Sequence, residues 1–124
     1  MAVVLIIDDS PTELHLFQSM LEKAGFETLV ADSAEEGLRQ AASARPDCIL
    51  MDVVMPGMNG FQATRRLTRD PATAGIPVIM ITSRYSDKHR RLATEAGVDV
   101  FLTKPYTDDD LATHIHRSMQ RRAA

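Results

Sequence analysis

Two adjacent aspartates, Asp8 and Asp9, close the apolar run Ala2-Val3-Val4-Leu5-Ile6-Ile7, and a third, Asp52, closes Cys48-Ile49-Leu50-Met51. A lysine, Lys104, follows the run from Val98 to Thr103. If these runs are neighbouring parallel strands, all four charged groups emerge along one carboxyl edge of a sheet. Crowded carboxylates repel and raise one another's pKa unless a cation sits among them. Oxygen-only ligands select a hard cation, and a small octahedral ion such as magnesium needs only one or two carboxylates plus waters and a phosphate. Asp9 and Asp52 suit direct ligation, with Asp8 acting through water. A carboxylate beside such a metal can attack a phosphoryl group and become an acyl phosphate. That transfer requires the charge on the equatorial oxygens to be neutralised. The metal covers one side, Lys104 supplies a point charge for another, and the Thr82 hydroxyl donates to a third.

The elements that must position these groups are legible in the patterning. Val3 to Ile7 is apolar throughout, as a central strand covered on both faces should be. Ser10-Pro11-Thr12-Glu13 opens a helix: Ser10 is the N-cap, Pro11 suits the first position, and Glu13 completes a capping box. Leu14, Phe17, Leu21 and Ala24 keep the helical period, and Gly25 is the stop. A strand over Glu27–Ala31 follows, then a second capping box, Ser33-Ala34-Glu35-Glu36, and a helix to about Ala44 with Leu38 and Ala41 inward. Cys48–Met51 is the third strand, the turn formers from Met55 to Gly60 lead into a helix over Phe61–Thr68, and Pro77–Ile81 is the fourth strand. A helix from Ser86-Asp87 to Gly97, a strand over Asp99–Leu102, and a last helix capped by Thr107-Asp108-Asp109-Asp110 complete the series. Apolar runs alternating with helical stretches predict a doubly wound α/β fold of five parallel strands and five helices, with its site at the strand carboxyl ends. Each polar residue there has an ordinary reading as a turn acid, a cap or an exposed lysine. Asp8, Asp9, Asp52, Thr82 and Lys104 all at strand ends form a constellation.

The bulk properties bound the function classes. A chain of 124 residues fits one domain, residues 1–124. Its net charge of -3 argues for neither nucleic acid nor an anionic membrane as partner. The first apolar run is too short and too acidic at its end for a signal peptide or a membrane span, so a cytoplasmic protein is expected. The single cysteine, Cys48, rules out an internal disulfide and reads as a buried small hydrophobe.

Four stretches carry a specific resemblance: Ile7-Asp8-Asp9-Ser10, the run from Met51 through Asp52-Val53-Val54-Met55-Pro56-Gly57-Met58 to Asn59-Gly60, Ile81-Thr82-Ser83, and Thr103-Lys104-Pro105. At these spacings the chain resembles bacterial response-regulator receiver domains of the CheY-like kind, over essentially its whole length. The resemblance implies a flavodoxin-like sheet of order 2-1-3-4-5, a fold in which CheY itself is a standard instance. It implies that Asp52 accepts phosphoryl from a histidine kinase, and that Asp8, Asp9, Asp52 and the Val54 backbone carbonyl hold Mg2+. Thr82 and Lys104 would contact the phosphoryl oxygens, Thr82 and Phe101 would form the switch, and the Lys104–Pro105 bond would be cis. Departures stand at Phe101, which has no hydroxyl, and at Val54 and Arg84, which flank the phosphorylation site and bear on water access. Within the family, Ser10-Pro11-Thr12-Glu13 and Asn59-Gly60-Phe61-Gln62-Ala63-Thr64-Arg65 look like type IV pilus (twitching-motility, PilH-like) regulators. Ile79-Met80-Ile81-Thr82-Ser83-Arg84 with Asp87-Lys88-His89-Arg90 looks like receiver domains joined to chemotaxis-type kinases.

The expected protein is therefore a phosphorylatable switch, monomeric, taking its phosphoryl from a CheA-like or hybrid histidine kinase. Its output would be a protein target at the fourth helix, fifth strand and fifth helix; Arg84, Lys88, His89, Arg90 and Arg91 form a basic run at the fourth helix that reads by default as a solvated face, and otherwise as a docking surface for an acidic partner. It would be no enzyme beyond its own phosphorylation and dephosphorylation. A magnesium-dependent aspartyl phosphohydrolase is the rival, but such sites usually carry an acid two residues after the nucleophile, and here Val54 stands there. A receiver module within a hybrid kinase is a further alternative, while a helix ending at Arg122-Ala123-Ala124 fits a chain that closes with this domain. His15, His89, His114 and His116 read as solvated, Met51 and Met80 as core, and Met55 and Met58 as partly exposed beside the active-site loop.

Overall fold

In a computed structural model the chain is described over residues 1–83, 86–104 and 108–123. Arg84, the Thr107 cap and the Lys104–Pro105 bond lie outside the described residues. Strands and helices alternate: β1 (Val3–Ile7), α1 (Pro11–Lys23), β2 (Glu27–Ala31), α2 (Ala34–Ala44), β3 (Cys48–Asp52), α3 (Gly60–Arg69), β4 (Val78–Thr82), α4 (Asp87–Ala96), β5 (Val100–Thr103) and α5 (Asp108–Ala123). The strands pair in parallel in the order β2-β1-β3-β4-β5, as expected of a doubly wound sheet.

The pleat divides the sheet's side chains between two apolar layers. Leu5, Ile7, Ile49, Met51, Val78 and Met80 face one way, into a cluster with Ala41, Phe61, Leu67 and Ala93 from α2, α3 and α4. Val4, Ile6, Cys48, Leu50, Ile79 and Ile81 face the other way, against Leu14, Phe17 and Leu21 of α1 and Leu111 and Ile115 of α5. Burial on both sides explains why β1, β3 and β4 read as unbroken apolar runs.

β3 ends one residue later than its patterning predicts, β4 and β5 lie one residue later at both ends, and the ladder explains it. Asp52 pairs with Ile81 and Thr82 with Thr103, so the parallel register continues past the last apolar residue. Pro77 has no N–H to give, and its carbonyl alone meets β3, accepting from the Ile49 amide at 2.9 Å. Asp99 is occupied before β5 by its side chain: Oδ1 accepts from the Val78 N–H at 3.0 Å, and the Arg122 guanidinium reaches both carboxylate oxygens at 2.9 and 3.1 Å.

The helix starts also differ from expectation. Ser10 and Ser33 cap as predicted, accepting from the Glu13 and Glu36 amides at 3.3 and 3.2 Å. Neither reciprocal bond forms: Glu36 turns to Arg39 and Gln40, while the Ser10 amide donates to Asp8 Oδ1 at 2.9 Å and Glu13 turns to Lys104. The capping box that does close is Asn59–Gln62, with bonds of 3.0 and 2.9 Å, and it starts α3 one residue earlier than the apolar period indicates. α1 ends at Lys23 with Ala24 exposed as its cap, and Gly25 takes the left-handed backbone, φ +96°, that ends the helix.

Candidate functional site

The carboxyl ends of β1, β3, β4 and β5 bring the predicted residues into one cleft of about 310 Å³, lined by Asp8, Asp9, Ser10, Glu13, Asp52, Thr82, Ser83 and Lys104 among others. Each arrives through a specific piece of backbone. The Asp8 amide donates to the Ala31 carbonyl at 3.1 Å, extending the β1–β2 pairing by one residue. Asp52 is the last residue of β3, and the Lys104 amide donates to the Thr82 carbonyl at 3.0 Å, tying the end of β5 to the end of β4. Asp8 and Thr82 are buried, Asp52 is half-buried, and Asp9 is exposed.

One carboxylate oxygen from each of Asp8, Asp9 and Asp52 lies within 4.8 Å of the others. Asp8 Oδ1 accepts from the Ser10 amide at 2.9 Å, and Asp52 Oδ1 from the Val53 amide at 3.0 Å. Those bonds orient the side chains without neutralising them. Desolvation, then the neighbouring Asp8 and Asp9 charges, push Asp52 up to about 7, outweighing the Val53 N–H and the Lys104 charge. Asp8 is likewise raised, first by desolvation, then by Asp9 and Glu13, against the opposing Ser10 N–H. Carboxylates held this close and this reluctant to ionise together fit a hard divalent cation. The all-oxygen donor set excludes the softer metals that favour imidazole or thiolate.

Val54, two residues after Asp52, is not among the residues lining the cleft and is 72% exposed, whereas the adjacent Met51 and Val53 are buried. Phe101 is partly buried against the layer that contains Met80 and Ala93. Met55 corrects an expectation: at 6% exposure it belongs to the core, while Met58 is half-buried. His89 packs its ring on Phe61 at 5.6 Å between centroids, and His116 packs on Phe26 at 5.0 Å, so neither is simply solvated.

Glu13 is the site residue that sequence reasoning assigned elsewhere. Its Oε1 accepts from Lys104 Nζ at 3.0 Å, across 91 positions of sequence. A signal existed: Glu13 stands four residues after Asp9 at the start of α1, on the turn that faces the rim. The capping-box pattern offered the same carboxylate a nearer job.

With this geometry in place, comparison with known proteins is specific. The description "Response regulator receiver domain" matches residues 4–116. Protein PilH of Pseudomonas aeruginosa is 44% identical over 116 residues, which cover 94% of this chain and 96% of that protein. The phosphate regulon regulator PhoB of the same species is 32% identical over 118 residues, and the chain spans about half of it, 52%. Among solved structures, the receiver domain of a sensor histidine kinase from Pseudomonas aeruginosa superposes with a TM-score of 0.89 at 25% identity, covering 96% of this chain and 98% of that one. That structure was determined with a magnesium ion coordinated in its active-site cleft. Five parallel strands in this order and a rim of three aspartates, a threonine and a lysine accord with those matches, and the chain belongs to the response regulator receiver domain family.

Proposed function

We propose that Asp52 is the phosphoacceptor of this receiver domain, and that residues 1–124 act as one switch whose output is a change of protein partner. The observation that carries the reading is the meeting of three aspartate oxygens within 4.8 Å in a cleft that Thr82 and Lys104 also line. Asp8, Asp9 and Asp52, with the Val54 carbonyl, would hold Mg2+, which when bound supplies positive charge against the anionic phosphoryl group. The remaining steps belong to the chain's own groups. An Asp52 carboxylate oxygen forms the new bond to phosphorus as the bond to the donor nitrogen breaks, and the donor histidine leaves as a neutral imidazole after taking up a proton. Lys104 and the Thr82 hydroxyl meet the phosphoryl oxygens as charge shifts onto them.

Receiver domains act with histidine kinases and downstream targets, and the 44% identity to PilH supports a role in type IV pilus control. The domain catalyses only its own phosphorylation and dephosphorylation, and its target is a protein docked on α4, β5 and α5. A second reading, a receiver module within a hybrid kinase, is supported by the likeness to a histidine-kinase receiver. Among the described residues no helix is long and apolar enough to cross a membrane.

Incubation with magnesium and a small acyl phosphate should add one phosphoryl group, detected by intact mass. Asp52→Asn should abolish it. Labelling that persists in the variant, or steady release of phosphate from phosphoesters, would refute the assignment.

A further inference from the structure

Lys104 has the wrong partner for its task. A lysine that neutralises a phosphoryl group on Asp52 must bring its ammonium to the end of β3. Among the described residues its ion pair is instead with Glu13, at 3.0 Å, and none of the three aspartates is within ion-pairing distance of it. Both partners of that pair are about one-third exposed, 36% for Lys104 and 34% for Glu13, and both line the same cleft as Asp52. The Ser10 N–H that a capping box would offer to Glu13 is donated to Asp8 Oδ1 at 2.9 Å, which leaves the Glu13 carboxylate available to Lys104, whereas on α3 the Asn59–Gln62 box closes.

We propose that Glu13 is a positioning residue that holds the Lys104 ammonium away from the Asp52 carboxylate in the unphosphorylated state. Acquiring the phosphoryl group then includes the exchange of one anionic partner of Lys104 for another. This rests on the assignment of Asp52 as phosphoacceptor. The exchange balances in charge: a carboxylate gives up an ammonium to a phosphoryl group of about two negative charges. Because the pair is partly exposed, its grip is modest, and it tunes the response rather than blocking it. Glu13 also adds a fourth negative charge to the rim, so its field and its grip must be separated by experiment.

Two variants do so. Glu13→Gln removes the charge, and Glu13→Asp keeps the charge but shortens the arm by one methylene. In metal-free wild-type protein selectively labelled at lysine ε-carbons, the Lys104 methylene should relax as a restrained group, and in both variants as a freely rotating one. Calorimetric titration with beryllofluoride in magnesium, a phosphoryl mimic, should show both variants binding about two- to fivefold more tightly than wild type, the size of one exposed ion pair. A freely rotating Lys104 in the wild type overturns the proposal, as does tightening in Glu13→Gln alone, which would leave only the field of the carboxylate. Failure of the wild type itself to bind the mimic would overturn the Asp52 assignment as well. Wild-type binding that neither variant changes overturns the positioning role alone.

Discussion

Asp52 shows how a single residue joins function to stability. Its carboxyl is raised from the ordinary 3.8 to about 7, first by desolvation and then by Asp8. Folding therefore favours the neutral form. The stability that Asp52 contributes in metal-free protein is fully present below its unfolded pKa, and it is lost as pH rises through 7. Asp52→Asn removes that penalty. Without metal, the variant should melt above wild type at pH 8, by about 1–2 kcal/mol once solvent screening of a half-open group is allowed for, and the two should converge near pH 4. Magnesium should raise the wild-type melting temperature and leave the variant almost unmoved. Scanning calorimetry at both pH values, with and without the ion, checks all of these signs, and a variant less stable at pH 8 would show that the aspartates do not repel as described. The three acids were legible in the sequence because each closes an apolar run, and strand ends in such sheets converge. Glu13 was not, because an acid at the third position of a helix has two outlets, its own cap or a partner across space, and local pattern cannot choose between them.

Between residue and fold, the turn from β3 into α3 ties Asp52 to a helix. Gly60 opens α3, and its amide donates to the Val53 carbonyl at 2.9 Å. A Cβ built on Gly60 would lie 2.2 Å from the Asp52 carbonyl oxygen and 3.1 Å from the Val53 Cα, both backbone atoms that cannot rotate away. Gly60→Ala should therefore cost about 1–3 kcal/mol of stability, the range for overpacking, and should weaken magnesium binding because Asp52 moves with its own carbonyl. An alanine variant with wild-type melting temperature and metal affinity would mean that the turn has slack. Element order and type could be read in advance because caps, stops and apolar period agree along most of the chain. The one-residue extension of β3 and the one-residue displacements of β4 and β5 could not, since they depend on ladder partners in other strands. The Asn59–Gln62 box likewise lay within a stretch dense in turn formers, where the helix start is masked.

Across the whole molecule, a charge placed on Asp52 must be felt at the face expected to bind a target, and the sheet is unevenly built to transmit it. All of β4 is buried, while every residue of the edge strand β5 is only partly so. Four residue pairs join them, from Ile79–Val100 to Thr82–Thr103 at the site end, and Met80 pairs with Phe101. Phe101 packs against the same layer as Ala93 of α4, so a move of its ring is felt by that helix through contact. If Phe101 is the switch, its ring has no hydroxyl, so its alternative positions would differ in packing and water exposure alone and the equilibrium would be sensitive to side-chain shape. Beryllofluoride should therefore shift amide resonances at Thr82, in β5 and in α4, with little change in Glu27–Ala31 at the opposite edge. Phe101→Leu keeps an apolar side chain but changes its shape, so it should shrink the response in Asp87–Ala96 while leaving mimic affinity within about twofold, since Phe101 does not line the cleft. Shifts spreading equally into β2, or a response in α4 that Phe101→Leu leaves at full size, would mean that the signal leaves the site by another route.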